Sequence, residues 1–160
     1  MVGGILAGLL LSRNDAGFTH NGALAGLVAV CASSDLYHPA GALVVGGLAG
    51  AIFVYGYQWV TERLKSDDLM WVWPLHGLCG SWGDFAAGLF GLEVLGGRGG
   101  VSFVAQLVGT LSAILYAFVI SSLIYGVLKV TVGIRLTEQE EMMGPDLAIH
   151  HVESRPEEAL

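Results

Sequence analysis

Over the first 130 residues, apolar positions come in long blocks instead of alternating with polar ones. The blocks cover residues 1–11, 21 to about 34, 39–60, 70–95 and 101–130. Runs of this length without strict alternation favour helices over strands. Crossing ~30 Å of hydrocarbon takes about 20 mostly apolar residues. The pattern therefore predicts an all-α membrane protein in which the second to fifth blocks each cross the bilayer. The first block has eleven residues, ~16 Å as a helix, and is read as the end of a truncated span. It lacks the basic start of a signal peptide. Pro39 opens the third block at a first-turn position, where its missing N–H costs little. After residue 130 the pattern breaks. The prediction is a transmembrane helical region over residues 1–130 and an acidic cytoplasmic tail over residues 131–160, with at most short helices.

Composition sharpens this reading. Of 160 residues, 54% are hydrophobic and 13% charged, against about a quarter charged in soluble domains. That excludes an ordinary soluble enzyme and a disordered chain. Glycine contributes 24 residues without a collagen period. Three Gly-x-x-x-Gly pairs, Gly4/Gly8, Gly22/Gly26 and Gly46/Gly50, fit close helix approach in a membrane. The net charge is −7, of which −6 lies in residues 136–160. An apolar body with an acidic tail has no basic face for nucleic acid. Cys31 and Cys79 both sit in apolar blocks, so no disulfide framework is indicated. If blocks two to five all cross, Arg13, Arg63, Lys65, Lys129 and Arg135 fall on one side and Arg98 on the other. The positive-inside rule then puts the tail in the cytoplasm, and the expected location is the plasma or inner membrane.

An ionisable residue inside a span is a functional candidate by default. The fourth block carries His76 and Asp84. An imidazole can donate and accept at once, which suits the wall of a pore that replaces water around a small polar solute. A structural histidine bonded to a neighbouring helix stands equally beside that reading. Asp84 could line the same cavity or sit at a packing contact, with packing slightly favoured. His76 and Cys79 have i, i+3 spacing, but two ligands are too few for a metal site. His20, His38, His150 and His151 read as solvated, and Ser33, Ser34, Ser121 and Ser122 as bonded to helix carbonyls. Trp71, Trp73 and Trp82 read as interface anchors or packing, and Tyr57 and Trp59 as part of an interfacial belt. No phosphate-binding loop, nucleophile elbow or paired carboxylates appear. No enzyme activity, catalytic residue or cofactor is expected.

Three strings together resemble the ammonium transporter family (the Amt/MEP/Rh group). Residues 21–30, Asn-Gly-Ala-Leu-Ala-Gly-Leu-Val-Ala-Val, resemble its eighth helix. Ser66-Asp67-Asp68 followed by Leu75-His76-Gly77-Leu78-Cys79-Gly80 resembles its D-D … H-G-x-x-G signature and tenth helix. Thr131-Val132-Gly133-Ile134-Arg135 followed by Glu138 resembles the exit from its last helix. The resemblance implies an eleven-helix fold of inverted repeats, of which this chain holds the C-terminal part: about four full transmembrane helices and a truncated one. It implies ammonium or ammonia as the solute and a homotrimer in the full-length form. It also implies a PII-type regulator at the cytoplasmic face. His76 matches the second of two pore histidines, Val72 a pore-wall position one turn earlier, and Leu24 another. The first pore histidine, the outer aromatic site and the phenylalanine gate would lie upstream of Met1. Trp71 stands where some relatives carry an acid at the inner mouth. The alternative expectation is a truncated, transport-incompetent membrane fragment with an interaction or regulatory role.

Overall fold

The computed structural model of the chain describes residues 1–150, and among these there is no strand. Helix α1 covers Val2–Leu11 and α2 covers Ala16–Val30, extended by a 3-10 turn at Cys31–Ser33. Helix α3 covers Pro39–Glu62. A π-helical segment, Trp73–Leu78, runs into α4, Cys79–Phe90. Helix α5 covers Phe103–Thr131 and is followed by two six-residue helices, α6 (Glu138–Met143) and α7 (Pro145–His150). The chain divides into two compact units, Met1–Ala113 and the residues from Ile114 onward.

In the first unit the glycines fix the sense of each helix. A methyl group on Gly4 would strike the Gly22 carbonyl, and one on Gly8 would lie 2.6 Å from the Phe18 oxygen. Helices α1 and α2 are therefore antiparallel. A methyl group on Gly50 would lie 2.7 Å from the Gly4 oxygen and 2.9 Å from Ala7 Cβ, and Gly3 faces Leu43 and Gly47, so α1 and α3 run parallel. Gly46 faces Gly26 across the α2–α3 contact. The three Gly-x-x-x-Gly pairs thus converge on one backbone-to-backbone seam, and all six glycines are buried. Beside it lies a core of mostly small side chains: Ala25, Ala29, Val45, Ala49, Phe53, Val54, Leu75, Cys79 and Ala86. The Trp82 indole donates to the Val45 carbonyl at 3.0 Å and the Cys79 thiol to the Ala49 carbonyl at 3.3 Å, tying α4 antiparallel to α3.

Helices α3 and α5 are long and apolar enough to cross a membrane. The other two expected crossings are shorter. Helix α2 has 15 residues, ~22 Å, and the π segment splits the fourth block. Helix α2 also starts earlier than the apolar pattern predicts, because the Asp15 carboxylate accepts from the Phe18 N–H at 3.0 Å and caps it. The polar residues that follow turn back onto their own helix. The Thr19 hydroxyl donates to the Asp15 carbonyl at 2.7 Å, and the Asn21 amide donates to that of Gly17 at 2.9 Å. His20 Nδ1 lies 2.7 Å from the Ala16 carbonyl.

In the second unit α5 is exposed along residues 114–131. Thr137 and Glu140 form a reciprocal capping box at the start of α6. The Glu140 carboxylate accepts from the Thr137 N–H at 2.8 Å and from its hydroxyl at 2.7 Å. These two bonds hold the Glu140 carboxyl below the usual glutamate range. A lowered folded-state value means the cap is at full strength above the ordinary glutamate range, near pH ~4.3, and is lost as pH falls through the lowered value. Hydrogen exchange over residues 137–143 is therefore expected to follow its intrinsic pH trend from neutral pH to about 5. It should then accelerate beyond its intrinsic pH trend under more acid conditions, and Glu140→Gln should abolish that step. Residues 151–160, including His151 of the expected tail histidines, lie outside the described residues.

Candidate functional site

The helix carrying His76 is anchored before it begins. Both oxygens of Asp68 accept backbone donors: Oδ1 from the Val72 N–H at 2.9 Å and Oδ2 from the Trp73 N–H at 2.8 Å. Asp68 is thus a cap, satisfying two of the N–H groups a helix start leaves unpaired. Its sequence signal is an acid just ahead of an apolar helical run, a local role that its place in the D-D string does not by itself state. Between cap and helix lies Trp71 in the left-handed region, at φ 56°. A bulky residue there is an outlier that costs about 1–3 kcal/mol, and such conformations persist only where the surroundings impose them.

The surroundings are aromatic. The Trp71 ring stacks on Phe18 with centroids 5.3 Å apart and planes at 14°, and it lies 5.4 Å from both Phe53 and Tyr57. A methyl group on Gly17 would lie 2.8 Å from the far edge of the indole. Trp71 is therefore partly buried against the core at this end of the bundle, and Tyr57 belongs to the same aromatic cluster. The Trp71 carbonyl accepts from the Leu75 N–H at 3.0 Å, and Leu75 is buried. Past that bond the turn widens, and the Cys79 N–H bonds to the Pro74 carbonyl five residues back. Pro74 brings no N–H of its own.

His76 sits inside this π segment and is exposed. Among the described residues, the histidine side chains that make hydrogen bonds are His20 and His38. Val72, four residues earlier, is exposed as well. Leu24 is on α2, which runs parallel to the His76 helix: Phe18 meets Trp71 at one end of the contact and Val28 faces Gly80 further along. Leu24 and His76 lie at matching heights between those two contacts, each exposed. Val72 also lines a cleft of ≈ 460 Å³ with Val60, Leu64, Ser66, Asp67, Asp68 and Trp73. Cys79 points elsewhere, buried against Ala49.

Asp84 faces a different neighbour. The Thr110 hydroxyl lies 3.3 Å from its Oδ2 and 2.8 Å from the Gln106 carbonyl, which joins α4 to the start of α5. That partner is 26 residues away and no local pattern points to it. Nearby, the Tyr37 hydroxyl donates to the Gly83 carbonyl at 3.3 Å. Burial pushes the Tyr37 phenol up, and the Asp84 charge adds to the shift. Ser33, expected to bond a helix carbonyl, is fully buried and its hydroxyl has no hydrogen-bond partner. At this end the loops also meet, with the Arg98 N–H donating to the Leu36 carbonyl at 3.0 Å and its guanidinium 3.6 Å from Asp35. The opposite end of the unit carries Arg13, Arg63 and Lys65.

A family model described as Ammonium Transporter Family matches residues 1–154. The chain is 38% identical to ammonium transporter Amt2 of Methanocaldococcus jannaschii, over 100% of this chain and 38% of that protein. It is 40% identical to Amt1 of the same organism, over 99% of this chain and 40% of that one. Amt2 of Archaeoglobus fulgidus is 36% identical over 90% of the chain and 33% of its own length. The chain thus spans about two fifths or less of the length of these curated relatives.

Proposed function

The chain belongs to the ammonium transporter family, transporters and not enzymes, and we propose that it supplies part of the wall of an ammonia-conducting pore. The observation that carries this reading is His76, an ionisable residue exposed on the π segment of a mostly apolar block. It stands one turn from Val72 and level with Leu24 on the neighbouring helix. Moving an ammonium ion into an apolar wall without compensating partners is prohibitively costly. Ammonia carries no such penalty, and an imidazole replaces part of its lost hydration by donating or accepting a hydrogen bond. Val72 and Leu24 supply the apolar stretch that disfavours the ion. The end carrying Arg13, Arg63 and Lys65 is placed in the cytoplasm, together with the acidic tail, by the positive-inside rule. Assembly of three copies in a lipid bilayer and docking of a PII-type regulator on the cytoplasmic face belong to the same proposal.

Uptake of labelled methylammonium by cells producing the protein tests the reading. His76→Ala should abolish uptake or its competition by ammonium, at equal membrane abundance. Unchanged uptake and unchanged competition would remove His76 from the pathway.

A further inference from the structure

We propose that Trp71 is a positioning residue for His76: its ring, clamped between α2 and α3, sets where the π segment presents the imidazole. The proposal rests on the reading of His76 as a pore residue.

The chain of contacts is continuous. Phe18 from α2 stacks on one face of the indole, Phe53 and Tyr57 from α3 crowd it, and Gly17 leaves room for its far edge. These contacts hold a large side chain whose backbone sits in a conformation that L residues seldom adopt. A glycine would take φ 56° freely, so the backbone alone gives no reason for a tryptophan. What tryptophan adds is a rigid connection from the two neighbouring helices to one backbone carbonyl. That carbonyl holds the Leu75 N–H, and Leu75 directly precedes His76. Beyond it the ladder changes to five-residue spacing, a widened turn that is frequent at functional sites. The switch point decides the rotation at which His76 leaves the helix. If the indole moves, the last α-type bond moves with it. Backbone strain at a residue outside the wall is thereby tied to the aim of a residue on it.

Two variants separate ring from backbone. Trp71→Gly keeps the left-handed conformation and removes the clamp; Trp71→Phe keeps an aromatic ring. Each is combined with His76→Cys in the full chain, and labelling by a small thiol reagent is followed by peptide mass spectrometry so that Cys31 is read separately. Buried Cys79 serves as the folding control, since it labels only if the bundle opens. With Cys79 protected, Trp71→Gly should change the His76→Cys labelling rate fivefold or more, and Trp71→Phe should restore it to within twofold. Phe18→Ala, which removes the stacked partner and leaves the Trp71 backbone alone, should shift the rate in the same direction. An unchanged labelling rate in folded Trp71→Gly or in folded Phe18→Ala overturns the proposal. Methylammonium uptake measured beside it distinguishes the two readings. If His76→Ala transports normally, the pore role of His76 fails. If His76→Ala is inactive while Trp71→Gly transports normally, only the positioning role of Trp71 fails.

Discussion

Gly4→Val should cost about 3 kcal/mol or more, the upper end of what overpacking a close-packed interior does. In ordinary cores an added methyl group displaces a side chain, which can rotate away. At Gly4 it meets the carbonyl group of Gly22 and the backbone nitrogen of Gly26, and neither can rotate without unwinding α2. The same position faces α3, because Gly50 packs on the Gly4 carbonyl. Relief on one side tightens the other. The expected result is a large drop in apparent unfolding temperature in detergent and in membrane abundance. Gly109→Ala is the control, since nothing lies within 4 Å of a methyl group there. Equal behaviour of the two variants would mean that the seam is looser than its geometry states.

Asp68→Ala should have the second largest effect, about 2–3 kcal/mol. Losing an N-cap typically costs ~1 kcal/mol, and hydrogen bonds to a charged group are worth roughly 1.5–3 each. Two such bonds, at 2.9 and 2.8 Å, go together here. Asp68→Asn should retain roughly half the effect, since an amide offers a single acceptor oxygen. Asp67→Ala, at the exposed neighbour, should leave stability within about 0.5 kcal/mol. Hydrogen exchange at Val72 and Trp73 reports the cap directly. Protection of those two amides in Asp68→Ala would count against it.

What could be read in advance divides along the line between local and distant causes. Pro39 marked the start of α3, which begins there with His38 as its cap, because first-turn proline is a local signal. The long apolar block from residue 101 became α5 within two residues at either end. Helix α2 starts five residues before its apolar block, since Thr19, His20 and Asn21 look like loop residues in sequence but satisfy their side chains on their own helix. The three glycine pairs were visible singly, but their meeting at one seam follows from the sense of three helices. The left-handed Trp71 was hidden for the same reason: its cause is Phe18, Phe53 and Tyr57, between 14 and 53 positions away. Thr110 as the partner of Asp84 needed the α4–α5 turn. His76 itself was conspicuous, because an ionisable group in an apolar block stands out on chemistry alone.

The glycine seam bears on how these helices find their alignment. Where side chains interlock, neighbouring registers often differ by small energies, since flexible residues refill the gaps. At this seam a larger residue follows most of the glycines along their helices: Ile5 follows Gly4, Leu9 follows Gly8, Ala23 follows Gly22 and Leu27 follows Gly26. Turning α1 by one residue, ~100°, would drive Ile5 into the groove that Gly4 occupies. That misaligned pairing is therefore excluded by collision and not merely outcompeted. The first three helices have one close-packed alignment, selected by what is absent from six positions.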